Sequence, residues 1–154
     1  MTANGTIRSE TVMPNHLDVL TFPFKGTALI EASAGTGKTY TIAALYVRLV
    51  LGHGGQAGFA RPLSPPEILV LTFTNAATEE LRERIRRRLG QAAAFLRGRA
   101  AGDAFLDALR DSLPPGERAG SARRLDLAAQ WMDEAAITPI HGWCQRMLRQ
   151  HAFD

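Results

Sequence analysis

Residues 27–39 read Thr27-Ala-Leu-Ile-Glu-Ala-Ser-Ala-Gly-Thr-Gly-Lys-Thr39. The first part, Thr27–Glu31, predicts a short strand, and an amphipathic run that begins near Lys38 predicts a helix. The glycine-rich turn between them would direct backbone N–H groups and a helix N-terminus at one point, which favours an anion there. Lys38 adds a positive charge for outer phosphates, and the hydroxyl of Thr39 can complete the coordination shell of Mg²⁺. The stretch therefore predicts a phosphate-binding loop.

The nucleotide-binding residues that we expect are Ala32, Ser33, Ala34, Gly35, Thr36, Gly37, Lys38 and Thr39. Lys38 and Thr39 would act on the phosphates, and Thr39 would bind the metal. The strict pattern of such loops, G-x-x-x-x-G-K-[ST], has a glycine where this chain has Ala32. A glycine-softened loop before an ordinary helix is the alternative, but the expected strand before the loop and the helix after it favour phosphate binding.

The composition is typical of a soluble globular domain: 154 residues, 45% of them hydrophobic, with a formal net charge of +3. Cys144 is the single cysteine, which excludes an internal disulfide and fits a reducing compartment. The first ten residues lack the apolar core of a signal peptide, and no run approaches the roughly 18 apolar residues of a membrane span. We therefore expect a cytoplasmic protein with no membrane contact.

Apolar periodicity predicts an α/β fold with a parallel sheet flanked by helices. The inward face of the first helix would consist of Ile42, Leu45, Tyr46, Leu49 and Val50. Gly52 would end this helix, and Glu67–Phe73 is a continuous apolar run that is typical of a strand buried on both faces. Strand, helix and strand at this spacing predict a right-handed βαβ unit.

A second helix is expected after Thr74 and Asn75, which can cap it. Its inward stripe would consist of Ala77, Leu81, Ile85, Leu89, Ala92 and Leu96. Around that stripe lie Arg82, Arg84, Arg86, Arg87, Arg88, Arg97 and Arg99, with few acids to offset them. This arginine face is either a solvated helix surface or a surface for a phosphate backbone or an acidic partner.

The remaining elements are shorter. We expect a short helix over Asp103–Asp111, a helix around Leu125–Met132, a third strand over Ala136–Ile140 and a closing helix over His141–Gln150. Pro139 requires the third strand to lie at an edge or to end there. Trp143 and Met147 would face inward.

Three blocks of the sequence together resemble the UvrD-like superfamily 1 DNA helicases. They are Ala32-Ser-Ala-Gly-Thr-Gly-Lys-Thr39, Leu71-Thr-Phe-Thr-Asn-Ala-Ala-Thr-Glu-Glu-Leu81 and Ile140-His-Gly-Trp-Cys-Gln-Arg-Met-Leu148. Within the superfamily the chain is similar to the N-terminal part of the beta subunits of exodeoxyribonuclease V, through Leu29–Thr39, Thr41–Tyr46 and Met132–Ala136. These helicases normally carry alanine at the position of Ala32.

The resemblance implies a RecA-like P-loop NTPase that uses ATP and Mg²⁺. Residues 1–20 would be a loose lead-in, and residues 21–154 would be the N-terminal part of the first helicase domain, ending before its Walker B acids. The DNA-binding residues would be Thr72, Phe73, Thr74 and Asn75 in one motif and His141 and Trp143 in another. Hydroxyls and helix N-terminal N–H groups can hold phosphate, and Phe73 offers a base a stacking face.

The resemblance also implies partners. They would be single-stranded DNA, duplex ends, and the gamma and alpha subunits of exodeoxyribonuclease V, in double-strand break repair and recombination. A working motor needs a Walker B pair, further arginines and a second RecA-like domain. Asp133-Glu134 lies in a helical pattern before a strand, so we expect a surface pair there. The chain alone is therefore expected to bind nucleotide weakly without hydrolysing it or unwinding DNA.

Two positions depart from the family pattern. Lys25 stands where these helicases have a glutamine that reads adenine, and Pro139 stands where they have a threonine. Lysine is a charged donor and cannot reproduce the contact of an amide. Two other functions remain open: a small P-loop kinase, and a non-catalytic nucleic-acid-binding module that uses the arginine face.

Overall fold

Five α-helices and two strands make up the regular structure of residues 17–31 and 37–152, which a computed structural model describes. The helices are α1 Lys38–Leu51, α2 Asn75–Leu96, α3 Ala104–Ser112, α4 Arg118–Gln130 and α5 Ile140–His151, and the strands are β1 Val70–Thr72 and β2 Ile137–Pro139. Short 3₁₀ turns lie at Gly55–Ala57, Pro65–Glu67, Pro115–Glu117 and Trp131–Glu134. None of the helices in these residues combines the length and apolar character needed to cross a membrane.

The two strands run parallel and lie side by side. Val70 is opposite Ile137, and Thr72 is opposite Pro139. Parallel strands need a long crossover between them, and here the crossover consists of α2, α3 and α4. Pro139, which has no N–H to donate, is the last residue of its strand. The α/β class, the parallel sheet and the strand expected within Ala136–Ile140 are therefore confirmed.

Our prediction of a strand over Thr27–Glu31 is wrong. These residues have no regular structure and are exposed, and the side chain of Leu29 is 83% accessible. A strand is stable when a neighbouring strand takes up its N–H and C=O groups. Among the described residues β1 and β2 pair with each other, and neither pairs with Thr27–Glu31. The predicted βαβ unit through α1 is therefore absent there, and the unit that forms joins β1 to β2.

The predicted strand Glu67–Phe73 is shorter than expected and is covered on one face. Pro65–Glu67 forms a 3₁₀ turn that Ser64 and Glu67 close as a capping box, so β1 begins only at Val70. Ile68 is buried, whereas Leu69 and Leu71 are exposed. Alternate side chains of an extended segment point to opposite faces. The described helices cover the face of Ile68 and Val70, and burial on both faces was therefore a wrong prediction.

Helix α1 forms as predicted and ends at Gly52, whose φ of 65° suits glycine. Its buried face is rotated relative to the prediction. Tyr46 and Val50 are buried, whereas Ile42 is 38% accessible. The fully buried positions instead include Ala44. Small side chains there let α1 lie close to α2, which also contributes buried alanines at 92 and 93.

Helix α2 is the longest element, and it packs against α1, α4 and both strands. The predicted inward residues Leu81, Ile85, Leu89, Ala92 and Leu96 are buried. Ala77 is exposed, and its expected place is taken by Thr78, whose hydroxyl bonds to Thr72. Arg88 is also buried, although we expected it on the arginine face. A charged side chain is buried where partners neutralise it, and Arg88 has such partners.

The C-terminal helices agree with the prediction in part. Helix α3 matches the expected short helix, and Asp103 caps it. Helix α4 begins at Arg118, earlier than the expected Leu125, and packs on α2. In α5 no residue is fully buried, and Trp143 and Met147 are half-buried.

Candidate functional site

Most of the predicted phosphate loop, Ala32–Thr36, lies outside the described residues. Gly37, Lys38 and Thr39 lie within them and form the start of α1. Gly37 has a φ of 90°, in the left-handed region that favours glycine. Its carbonyl oxygen accepts the first hydrogen bond of the helix, from the Thr41 N–H at 2.9 Å. The glycine-to-helix transition that the sequence predicted is therefore present at Lys38.

In the part of the chain that the structure describes, no side chain caps the N-terminus of α1. No side chain accepts a hydrogen bond at the Gly37 position, and no acid lies in the first turn. The first N–H groups of a helix have no partner within the helix, and this end carries a partial positive charge. Lys38 is exposed at the same end, and Thr39 is half-buried beside it. Among the described residues, this arrangement of helix N–H groups and a lysine suits an anion.

A cleft of about 170 Å³ opens beside Thr39, between α1 and α2. It is lined by Thr39, Tyr40 and Ala43 of α1 and by Arg84, Arg87, Arg88 and Gln91 of α2. Arg84 pairs with Glu80 at 2.8 Å and Arg87 with Glu83 at 3.6 Å. Acids of α2 therefore offset the charges of Arg84 and Arg87. The other polar groups of the cleft include the Tyr40 ring and the Gln91 amide.

Tyr40, in the first turn of α1, is joined to two other helices. Its hydroxyl donates a hydrogen bond to Asp103 Oδ2 at 3.0 Å and accepts one from Arg88 Nη2 at 3.1 Å. Arg88 also pairs with Asp103, with Nη1 to Oδ2 at 2.8 Å and Nη2 to Oδ1 at 3.1 Å. Its guanidinium lies over the rings of Tyr40 and Phe105, at 4.8 and 5.2 Å from the centroids. Asp103 further caps α3 by accepting from the Leu106 N–H at 3.0 Å.

The environment keeps the Asp103 carboxylate charged. Partial burial acts to raise the pKa of Asp103, but the hydrogen bonds from Arg88 and from the Leu106 N–H outweigh it and lower that pKa below its ordinary value. Burial raises the pKa of the Tyr40 hydroxyl, so this group stays protonated and remains a donor. The Tyr40–Arg88–Asp103 network therefore joins α1, α2 and α3 through neutral tyrosine and a complete ion pair.

The segment that leads to the loop is held by Arg48, a fully buried arginine of α1. Arg48 Nη1 donates hydrogen bonds of 2.7 Å to the carbonyl oxygens of Val19 and Phe22. Its guanidinium also lies 4.6 Å from the centroid of the Phe24 ring. Lys25, the residue at the expected adenine-reading position, follows directly and is exposed. Residues 19–24 are thus fixed to the helix that carries Lys38 and Thr39.

His53 also belongs to this cluster. Its Nδ1 accepts a hydrogen bond from Arg48 Nε at 3.3 Å, and its Nε2 lies 2.8 Å from Ser112 Oγ. Burial first, and then the positive charge of Arg48, lower the pKa of His53 below 6.5. The ring is therefore neutral, and it links α1 to the end of α3.

The first predicted DNA motif lies at the carboxyl end of β1. The Thr72 hydroxyl forms a bond of 2.6 Å with that of Thr78 and donates to the Thr74 carbonyl at 3.2 Å. Thr74 caps α2, since its hydroxyl accepts from the Ala77 N–H at 3.0 Å. Asn75 is the first helical residue. These hydroxyls mainly fix the turn from strand to helix.

Phe73 lies in that turn and has little contact with the rest of the protein. Its side chain is 88% accessible, the highest value among the exposed large hydrophobic residues of the described chain. A large apolar ring on a rigid strand end gains nothing from folding when it points into water. The free ring beside a helix N-terminus is able to stack on a planar ligand.

The second predicted motif lies next to the first. His141 and Trp143 are in the first turn of α5, directly after β2, and His141 is exposed while Trp143 is half-buried. Because Thr72 and Pro139 are opposite each other in parallel strands, both motifs lie at the same edge of the sheet. Ligands of open parallel sheets bind at this carboxyl edge. The structure therefore brings Phe73 and His141 to one side of the molecule.

Trp143 is turned towards a second cleft, of about 420 Å³, beside β2. Arg82, Thr138, Arg146 and Met147 are among its other lining residues. Arg82 reaches the carbonyl oxygen of Ile137 with Nη2 at 3.2 Å. Trp143 is partly buried, whereas His141 is exposed and is the more accessible residue of this motif.

The arginine face carries less free charge than its composition suggests. The ion pairs on it are Arg82–Glu79, Arg84–Glu80, Arg86–Glu83, Arg86–Asp133, Arg87–Glu83, Arg88–Asp103 and Arg97–Asp126. Our statement that few acids offset these arginines is therefore wrong, because acids one turn away along α2 and acids from other elements reach them. Within the described chain Arg99 is the member of the set without an ion pair.

Asp133 and Glu134 lie in the 3₁₀ turn before β2 and are exposed, as predicted for a surface pair. Asp133 binds Arg86 at 2.5 Å. The described residues contain no group of three His, Cys, Asp or Glu side chains that could hold a metal ion. The Thr39 hydroxyl is the metal-ligand candidate that the sequence analysis named, and it is half-buried at the first turn of α1.

The sequence analysis missed four residues that organise this region: Tyr40, Arg48, Arg88 and Asp103. One of them was accessible from the pattern. Arg48 lies one and four positions from the buried Val47 and Ala44, so it occupies the apolar face of α1. Arg88 and Asp103 pair with each other although they are 15 residues apart in sequence, so this pair could be recognised only from the fold.

The sequence profile of the UvrD/REP helicase N-terminal domain matches residues 13–154. The chain is also 50% identical over 138 residues to the RecBCD enzyme subunit RecB of Escherichia coli (strain K12), covering 90% of this chain and 12% of that protein. RecB of Haemophilus influenzae is 50% identical over 145 residues, or 89% of this chain and 12% of its own length. RecB of Mycobacterium tuberculosis (strain ATCC 25618 / H37Rv) is 38% identical over 125 residues, which cover 80% of this chain and 10% of that protein. The chain thus spans about an eighth of the first two of these relatives.

Proposed function

This chain belongs to the UvrD/REP helicase N-terminal domain family, and we propose that it is the nucleotide-binding N-terminal part of a RecB-like subunit, an ATP-dependent DNA helicase and exonuclease. The single observation that carries the nucleotide site is the uncapped start of α1, directly behind Gly37 and at Lys38. Backbone N–H groups at a helix N-terminus, together with a lysine, form the set of donors that polyphosphates require.

The assigned roles follow the chemistry of each group. Ala32–Thr39 bind the phosphates of ATP, and Lys38 neutralises the β- and γ-phosphates. The Thr39 hydroxyl would help to hold Mg²⁺, which would supply further charge neutralisation at the phosphates. Thr39 suits that role because it is half-buried at the first turn of α1, next to the exposed Lys38.

The DNA site lies at the carboxyl edge of the sheet. Phe73 stacks on a base of a single strand, and the N-terminus of α2 at Thr74 and Asn75 contacts the neighbouring phosphate, with Thr72 fixing the turn. His141 and Trp143 extend this surface from α5. The exposure of Phe73 and its proximity to α5 through the strand register support the assignment.

The larger protein would act in the cytoplasm on duplex ends, in double-strand break repair and recombination. It would work with gamma and alpha subunits of the RecC and RecD type, since the relatives named above are subunits of a RecBCD enzyme. The 154 residues alone would bind nucleotide without turning it over. Phosphoryl transfer needs further acids and arginines, and the described residues contain no acidic pair after a buried strand.

Neither alternative gains support from the geometry. A nucleic-acid-binding module on the arginine face would need free charge, and most of these arginines are paired. A small kinase would need a carboxylate placed to activate an acceptor. Near the cleft beside Thr39, Asp103 is committed to Arg88 and to capping α3.

The proposal is tested by titrating this chain with a fluorescent ATP analogue in the presence of Mg²⁺. Lys38→Ala should abolish binding, whereas Arg123→Ala, which removes one exposed charge from α4, should leave the affinity unchanged. Thr39→Ser should retain Mg²⁺-dependent binding, and Thr39→Val should lose its Mg²⁺ dependence. No binding at millimolar nucleotide, or equal binding by Lys38→Ala, would overturn the proposal.

A further inference from the structure

The start of α1, where the proposed site would receive phosphate, is not capped by any of the described side chains. Gly37, which precedes it, is the residue with the least restricted backbone. A helix end without a cap frays, because its first N–H groups have no partner. A side-chain cap would solve the problem only by occupying the N–H groups that a phosphate needs. Side chains of other elements can support the first turn without occupying these N–H groups.

Tyr40 supplies a contact of that kind. It lies two residues after Lys38, and its hydroxyl makes bonds of 3.0 Å to Asp103 and 3.1 Å to Arg88. The ring lies over the Arg88 guanidinium, whose side chain is 9% accessible. These bonds use the side chain and leave the backbone N–H groups of the first turn unoccupied.

The two partners of Tyr40 are themselves rigidly held. Arg88 is in the middle of α2 and lies between the rings of Tyr40 and Phe105. Asp103 makes two bonds to Arg88 and accepts one from the Leu106 N–H as the cap of α3. Charge-assisted bonds of this length are stronger than bonds between neutral groups. The hydroxyl of Tyr40 is thus bound to a fixed point defined by two other helices.

We propose that Arg88 and Asp103 are positioning residues of the nucleotide site, which act through the Tyr40 hydroxyl to hold the first turn of α1. The inference rests on the proposed nucleotide binding. In this arrangement the ion pair touches no nucleotide. It keeps Lys38 and the free N–H groups aligned before the ligand arrives, so that binding does not have to order them.

The mildest test is Tyr40→Phe, which removes two hydrogen bonds and keeps the ring over Arg88. Two readouts on this chain are compared with wild type: amide hydrogen exchange at Thr41 and Ile42 without nucleotide, and the Kd of a fluorescent ATP analogue with Mg²⁺. We expect exchange to be faster and the Kd to be weaker by about three- to tenfold each, the effect of about one hydrogen bond. The matched control is Asp133→Asn, which breaks one of the two ion pairs of Arg86, also on α2. It should change neither readout.

Arg88→Met provides an independent variant, because it removes both the ion pair and the bond to Tyr40 while keeping a long apolar side chain. Its effect on the Kd should largely disappear when Tyr40→Phe is already present, since both act through one hydroxyl; an equal effect in both backgrounds would show that Arg88 does not act through Tyr40. Unchanged exchange and unchanged Kd in Tyr40→Phe, with wild type binding nucleotide, would overturn this inference and leave the proposed function intact. Absence of binding by wild type would overturn both. If Arg88→Met fails to fold, Tyr40→Phe alone decides.

Discussion

The Nε of Arg48 donates a hydrogen bond to the Nδ1 of His53 across 3.3 Å. This bond fixes the tautomer of the ring, because an accepting Nδ1 places the proton on Nε2. Nε2 then donates to Ser112 Oγ at 2.8 Å. Protonation of Nδ1 would remove its lone pair and place two positive charges next to each other.

The first prediction is therefore that stability falls at mildly acidic pH. Burial and Arg48 lower the pKa of His53 in the folded state, so the unfolded chain binds a proton more readily than the folded one. This contribution to stability is complete above the unfolded pKa of about 6.5 and is lost as pH falls below it. Urea unfolding between pH 7.5 and pH 5.5 should show the decrease. The loss of stability between these pH values should be smaller in His53→Gln and unchanged in His141→Gln. If His53→Gln loses as much stability as wild type, His53 is not the group responsible.

The second prediction concerns Arg48→Met. The substitution leaves the carbonyl oxygens of Val19 and Phe22 without their donor, so we expect the free energy of unfolding to fall by at least about 2 kcal/mol. Denaturant unfolding measures it. Arg123→Met on the exposed side of α4 is the control, with an expected change within about 0.5 kcal/mol. A loss of that small size for Arg48→Met would mean that water replaces the guanidinium.

The third prediction separates the two possible caps of α2. Thr74→Ala removes the acceptor of the Ala77 N–H and should lower the free energy of unfolding by about 1 kcal/mol. Asn75→Ala, one residue further, should have little effect because Asn75 is already helical and exposed. Thermal unfolding of the two variants compares them directly, and equal destabilisation would show that the cap is shared.

The fourth prediction concerns the ring of Phe73. Because it is exposed, Phe73→Ala should leave thermal stability unchanged. Binding of single-stranded DNA, followed by fluorescence anisotropy at fixed salt, should weaken by about 1–3 kcal/mol, the loss of one stacked base. Phe59→Ala removes another exposed phenylalanine, away from the strand ends, and should not affect binding. Equal DNA affinity of wild type and Phe73→Ala would exclude stacking at this position.

The sequence was informative where structure is local. The spacing of Leu81, Ile85 and Leu89 predicted the buried face of α2, and the continuous apolar run before Thr74 located β1. The strand over Thr27–Glu31 failed for a non-local reason. Strand formation depends on a neighbour, and a sequence window cannot tell which other segment pairs with it.

Charged residues were the second source of error. Arg48 and Arg88 are hydrophilic by any scale, and they are buried because carbonyl oxygens, aromatic rings and a carboxylate from distant parts of the chain surround them. Lys38 and Thr39 could be identified because their motif is continuous in sequence. The residues that hold them through Tyr40 could not, because the contact spans 63 residues.

Helix α2 begins at Asn75, directly after its cap Thr74 and close to Phe73, and it contacts Tyr40 through Arg88. Fourteen residues of helix separate these two points, a span of about 21 Å at 1.5 Å per residue. A packed helix resists both stretching and compression. The distance between Phe73 at the end of β1 and the first turn of α1, which carries Lys38, is therefore set by the rise of α2 and not by the conformation of a loop. An insertion or deletion of one residue between Thr78 and Arg88 would turn the guanidinium by about 100° away from Tyr40 and so disconnect the two surfaces without removing any residue of either.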